Sequence, residues 1–225
     1  MNAKIILAAA AALAFAGCVT PPPTVDTSAE MERTFDGPYP VKNSRADQAW
    51  ARPDVDFTQY SKIMLVSVGI EYRPGGESGR SMISRSGGEH YEVSEGDKER
   101  FESIMRDAFL EQLAKSKHFT IVSEPGPDVL EVRGALLDVV SYVPPDPVGV
   151  RSGVYLSTVG EATLVLELRD SITEAILLRA VDRRAAEKAG GNLQYSSRVT
   201  NSAEVWRLAR AWARLLTQRL DESKE

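Results

Sequence analysis

Few side chains in this sequence are of types that do chemistry, and their spacing limits what they can do. His90 lies between Glu89 and Tyr91-Glu92, a local cluster that offers a metal ligand or a general base. Either role needs convergent partners, and the only other histidine, His118, falls in a different segment. Gly75-Gly76-Glu77-Ser78-Gly79-Arg80-Ser81 invites comparison with a phosphate-binding loop. Its glycine spacing is one residue short, Arg80 stands where lysine is needed, and Gly87-Gly88 follow where a helix should begin. No serine sits in a Gly-x-Ser-x-Gly turn, so nucleophilic catalysis has no visible candidate. Trp50, Trp206 and Trp212 could form a ligand platform, but the helical spacing around Trp212 assigns that residue to a core and puts Trp206 on the flank of the same stripe. No metal and no cofactor is expected.

The chain that must position these residues has 225 of them, enough for one domain with one hydrophobic core. Hydrophobic residues make up 43% and charged residues 26%, which excludes wholesale disorder and a multi-span membrane protein. With 27 Lys and Arg against 32 Asp and Glu the net charge is -5, so nothing draws the chain as a whole to nucleic acid. A single Cys rules out a disulfide framework within the chain.

That cysteine, Cys18, has its own context. Lys4 is the only charge in the first 25 residues, and Ile5 to Ala16 is an unbroken apolar run. These are the n-region and h-region of a signal peptide, too short to span a bilayer before Pro21, Pro22 and Pro23 end any helix. Phe15-Ala16-Gly17-Cys18 resembles the lipobox of bacterial lipoproteins, in which the peptidase cuts just before a cysteine carrying a diacylglyceryl thioether. Ala14-Phe15-Ala16 also reads as an ordinary small-x-small cleavage site, but that reading leaves Cys18 as an unpaired thiol in an oxidising compartment. Lipidation is therefore expected at Cys18, with acyl chains as the membrane partner. By resemblance to the sorting rule of Gram-negative lipoproteins, Val19, which is not Asp, implies the periplasmic face of the outer membrane.

Residues 1–17 are thus read as a lipoprotein signal peptide, 18–45 as lipidated cysteine and flexible tether, and 46–225 as one periplasmic domain. Lys62 to Ile70 is a β-branched apolar run and the first expected strand. Arg73 to Glu92 holds five glycines and reads as an exposed loop open to proteolysis after Arg80 or Arg85. Ser94 with Asp97 caps a helix whose apolar face is Phe101, Ile104, Met105, Ala108, Phe109 and Leu113. Strands follow at Phe119 to Val122, at Val129 to Val143 with a bulge at Gly134, at Thr163 to Arg169 and at Ala175 to Arg184. Asn201 and Glu204 then cap a C-terminal helix. The expectation is an α+β fold, β-α-β-β-β-β-α, with a mainly antiparallel sheet of about five strands and two amphipathic helices.

Asp56-Phe57-Thr58-Gln59-Tyr60, Gly126-Pro127-Asp128-Val129 through Arg133, and Asp170-Ser171-Ile172-Thr173 with Asp182-Arg183-Arg184 resemble a family of secreted bacterial lipoproteins catalogued as domain of unknown function 3313. Where that family tends to have Gly after the Thr of the Asp-Ser hairpin, this chain has Glu174. The resemblance covers about Trp50 to Leu220 and implies no catalytic residues. On the C-terminal helix Arg207, Arg210 and Arg214 fall within about 60° of one another opposite the apolar stripe. They read either as a solvated face or as a docking stripe for an acidic partner or lipid phosphates. The expected function is a non-enzymatic binding or assembly module with an envelope protein as partner. The alternative is a small hydrolase or ligand-binding enzyme using the loop around His90.

Overall fold

The computed structural model describes residues 21–28, 33–74, 90–144 and 153–225. Cys18, the glycine run at Gly75 to Ser81, Arg80 and Arg85 lie outside the described residues.

The strands are β1 (Thr24–Val25), β2 (Tyr39–Lys42), β3 (Gln48–Ala51), β4 (Lys62–Tyr72), β5 (Thr120–Val122), β6 (Val129–Ser141), β7 (Tyr155–Leu156), β8 (Thr158–Asp170), β9 (Ile176–Glu187) and β10 (Gln194–Tyr195). The helices are α1 (Glu95–Leu113) and α2 (Arg198–Glu222). Eight strands form one mixed sheet in the order β1-β2-β3-β9-β8-β6-β4-β5, and β7 pairs with β10 in a small separate ribbon. This corrects the expected sheet of about five mainly antiparallel strands: β4 runs parallel to both β5 and β6. The physical reason is α1, which carries the chain back along the sheet after β4 so that the next strand starts at the same end. The α+β class with two helices stands.

Alternation along the strands decides which face the helices cover. Ala162, Leu164, Leu166 and Leu168 of β8 are buried and join Leu130, Val132 and Leu136 of β6 in the core. Phe109 and Leu113 of α1 and Leu208, Trp212, Leu216 and Leu220 of α2 complete that core. Trp212 is 3% exposed, and its indole N–H donates to Asp182 Oδ2 at 2.6 Å, which satisfies both groups inside the core.

Among the described residues no helix covers the opposite face of the sheet, which is tied by ion pairs. Glu167 on β8 accepts from Arg169 at 2.5 Å and from Arg179 on β9 at 2.7 Å, and Arg179 also reaches Asp36 at 2.6 Å. Burial pushes the Glu167 carboxyl up, but the two guanidinium partners outweigh it and hold it below its ordinary range. Trp50 lies beside Arg179 in register and is half-buried.

The chain ahead of residue 46 is not only a tether in structure. Thr24–Val25 and Tyr39–Lys42 are strands of the main sheet, β1 on β2 and β2 on β3. Helix α2 also begins earlier than Asn201. Ser197 is its N-cap, and Ser197 and Thr200 bond reciprocally as a capping box. Asn201 and Glu204 lie inside the helix, Glu204 only 3% exposed.

Candidate functional site

The sequence motifs meet as scaffold at one end of the sheet, except Asp182-Arg183-Arg184, which lies farther along β9 opposite Ala162 to Leu164. Asp56 accepts from Thr58 N–H at 2.8 Å and starts a short 3-10 turn that drops Tyr60 into the core at 1% exposure. The Tyr60 hydroxyl donates to Asp170 at 3.0 Å, and the Ser171 hydroxyl exchanges hydrogen bonds with the N–H and C=O of Gly126. The Asp128 carbonyl accepts from the N–H groups of Ser61 and Lys62 where β4 begins. At this turn end of the sheet the polar groups of Tyr60, Asp170 and Ser171 are thus used on one another and on backbone.

The opposite end is open. Helices α1 and α2 run parallel, since Glu111 meets Arg210 at 3.3 Å and Ser116 meets Asp221 at 2.5 Å. Their N-termini therefore sit together over the last residues of β4 and β6 and the first of β8. Between them lies a groove of about 550 Å³, within the ordinary range of small-ligand sites. Phe101 and Ile104 of α1, Val139 of β6, and Val205 and Leu208 of α2 form its apolar wall. Ser94, Asp97, Arg100, Arg198 and Asn201 form its polar rim. Gly160 lies in the floor because a Cβ there would stand 2.2 Å from the Val140 carbonyl oxygen.

Charges at the rim and on the strand ends beside it are arranged in pairs. The Ser94 hydroxyl holds the Asp97 carboxyl below its ordinary range, and Arg100 adds an ion pair. Arg183 does the same for Glu161, which also accepts from the Tyr142 hydroxyl at 2.7 Å. Asp138, in a left-handed conformation at φ 53°, is held down to about 2 by hydrogen bonds from Arg73 and then Arg183. Behind Asn201 lies Lys188, 1% exposed, which donates to its side-chain oxygen at 3.0 Å. Burial lowers the Lys188 ammonium, and nearby Glu204 works in the opposite direction.

Beside the groove is an apolar patch. Tyr155 and Tyr195 face each other across β7 and β10 with ring centroids 5.8 Å apart, and they are 60% and 54% exposed. Leu193 and Val199 flank them at 70% and 79%. Sequence reasoning missed this patch, because β7 and β10 are two residues each and carry no periodic pattern.

The sequence-nominated residues do not assemble into a second site. His90 places Nε2 2.9 Å from the Pro74 carbonyl oxygen, beyond the end of β4. His118 is exposed just before β5, beside the start of β4 and a strand length away. Among the described residues no group of three His, Cys, Asp or Glu side chains is arranged to hold a metal ion. Arg207, Arg210 and Arg214 are all exposed on α2. Arg207 pairs with Glu204 and Arg210 with Glu111, so two of the three already have carboxylate partners. Trp206 packs against the edge of the core.

Comparison with known proteins follows the same lines. A family model described as protein of unknown function, DUF3313, matches residues 40–216, a stretch that includes all three motifs. No curated protein matches the sequence. Among solved structures, a DUF330 protein from Xanthomonas campestris is 10% identical with a TM-score of 0.47, covering 77% of this chain and 90% of that one. PelC from Paraburkholderia phytofirmans, crystallised as a dodecamer, is 14% identical with a TM-score of 0.34, over 72% and 91% of the two chains. A homologue of the neuraminyllactose-binding haemagglutinin from Helicobacter pylori is 12% identical with a TM-score of 0.35, over 74% and 86%.

Proposed function

The chain belongs to the DUF3313 family of proteins of unknown function, and from that premise we propose that it is a lipid-anchored binding module of the cell envelope, without enzymatic activity. Cys18 carries the acyl chains, and the folded domain faces the periplasm from the outer membrane. The observation that carries the binding role is the groove at the helix N-termini next to the exposed Tyr155, Leu193, Tyr195 and Val199. Tyr155 and Tyr195 are in ring contact and exposed, and exposed aromatic side chains grouped in this way suit an interaction surface that tyrosine anchors. The hydroxyls of Ser94 and Ser197 at the groove are engaged in helix capping, which leaves the rim suited to recognition rather than to nucleophilic attack.

Two measurements test this reading. Cys18→Ser abolishes labelling with a fatty acid and releases the protein from membranes. Retention on outer membranes through carbonate extraction would overturn the anchor. A photo-crosslinking residue at position 195 of the full chain in cells captures an envelope partner, and the Tyr155→Ala change lowers that yield at least tenfold with an unchanged melting temperature. Equal yield in the variant removes the patch from the binding surface, and loss of a deletion phenotype's complementation by His90→Ala removes the non-enzymatic assignment.

A further inference from the structure

Strand β4 is covered unequally on its two sides. β6 pairs with it from Lys62 to Tyr72, whereas β5 pairs only with Lys62, Ile63 and Met64. Since β4 and β5 end the sheet, the stretch from Leu65 onward has no strand on its outer side among the described residues. The direction of the peptide groups follows from the bonds at its start. Thr120 N–H donates to the Ser61 carbonyl on the β5 side, and Lys62 N–H donates to the Asp128 carbonyl on the β6 side. Peptide groups alternate along a strand, so Ser67 turns its N–H and C=O to the open side.

We propose that this edge is a strand-addition site, occupied by an extended, uncharged segment of a partner polypeptide with apolar residues at alternate positions. Unpaired strand edges template such pairing, and natural proteins usually guard them with charge or proline. From Ile63 to Ile70 this edge has neither. A depression begins where β5 ends: Met64, Leu65 and Val66 of β4 and Leu110 of α1 border it on one side, and the turn between β5 and β6, with Glu124 and Asp128, on the other. An added strand places one row of side chains against Leu110 and the alternate row over Met64 and Val66. From Ile63 to Ile70 no side chain offers a charge to pair, which suits an uncharged segment along the ladder, and the charges of Lys62, Glu124 and Asp128 stand only at the β5 end of the depression. A register shift after Ser67 leaves Val68 opposite no residue of β6 and 60% exposed, which sets the far limit of the ladder.

The inference stands apart from the groove, and its test does not touch Tyr155 or Tyr195. Hydrogen exchange of the segment from Met64 to Ile70 is measured on the full chain in its native membrane and after purification in non-ionic detergent. A partner strand slows exchange in the membrane at least tenfold. The Val68→Lys change, at an exposed position, removes that protection while leaving the melting temperature in place. Ser67→Pro deletes the outward N–H and has the same effect, whereas Ser67→Ala keeps the protection. Equal exchange in membrane and detergent overturns the proposal. Protection that persists in the purified protein together with a dimer in sedimentation also overturns it, because the edge is then closed by a second copy.

Discussion

The two ends of the long strands are built differently. At the turn end, Tyr60, Asp128, Asp170 and Ser171 use their polar groups on one another and on backbone, and Tyr60 is nearly inaccessible. At the other end, two helix N-termini, an apolar wall and exposed Tyr155 and Tyr195 leave a groove between them. The difference separates what holds the fold together from what leaves surface free. A closed set of hydrogen bonds around a buried aromatic ring strengthens the fold, while a site that admits a ligand must leave surface unburied. The segments Asp56 to Tyr60, Gly126 to Arg133 and Asp170 to Thr173 begin or lie at the turn end, whereas Asp182-Arg183-Arg184 lies on β9 toward the groove, where Arg183 pairs with Asp138 and Glu161.

The contrast predicts a gradient of effects. Tyr60→Ala should cost about 3–5 kcal/mol, because it empties a buried aromatic site and strands Asp170, and denaturant unfolding measures this directly. Gly160→Ala should cost about 1–3 kcal/mol, since the new methyl meets the Val140 carbonyl and the strands must part. Gly134→Ala, with nothing within 4 Å of its Cβ, is the control and should unfold near the wild-type midpoint.

Alkali should act at the turn end. Burial, and then the hydrogen bond to Asp170, push the Tyr60 hydroxyl up to about 12. A raised value in the folded state means that this contribution to stability is whole below pH 10 and is lost as pH rises through 12. The melting temperature of the wild type should therefore fall over that window more than that of Tyr60→Phe, and parallel curves would remove the Tyr60 hydroxyl from the account. Acid should act at the open end, where Asp138 titrates at about 2. Its contribution is present above the ordinary carboxylate value and is lost as pH falls from about 4 to 2; Asp138→Asn should flatten the melting curve against pH in that range.

The smallest effect belongs to the β8–β9 hairpin. Glu174 adopts φ 57°, a conformation that glycine takes without a Cβ penalty, so Glu174→Gly should raise stability by about 0.5–1 kcal/mol. A shift in the opposite direction would show that the Glu174 side chain contributes a contact of its own.

Much of this architecture was legible from local pattern. Phe101 to Leu113 and Val205 to Leu220 announce amphipathic helices by their spacing, and α1 and α2 present those residues to the core. Leu164, Leu166 and Leu168 alternate with Glu167 and Arg169, and β8 places the two sets on opposite faces. The parallel pairing was missed although a cue existed. Ile63 to Ile70 is a mostly apolar run, broken only by Ser67, rather than an alternating one, which suits a strand with neighbours running the same way. β1, β2, β7 and β10 have four residues or fewer and hold their places through pairing, so no periodicity marks them. The groove was illegible for a related reason: its wall comes from α1, β6 and α2, segments brought together only by packing.

Composition and short-range order sufficed for the leader-like apolar run before Cys18, the class of fold, both helices and the motifs of the family, because each depends on residues within a few turns of one another. Strand order, the parallel edge at β4 and the meeting of two helix N-termini over one cleft were decided by tertiary structure. The pairings β3 with β9, β4 with β5 and β6, and α1 with α2 join residues from about sixty to more than a hundred positions apart, and at that distance it is the burial of a shared core, not the preference of any local segment, that selects the neighbour.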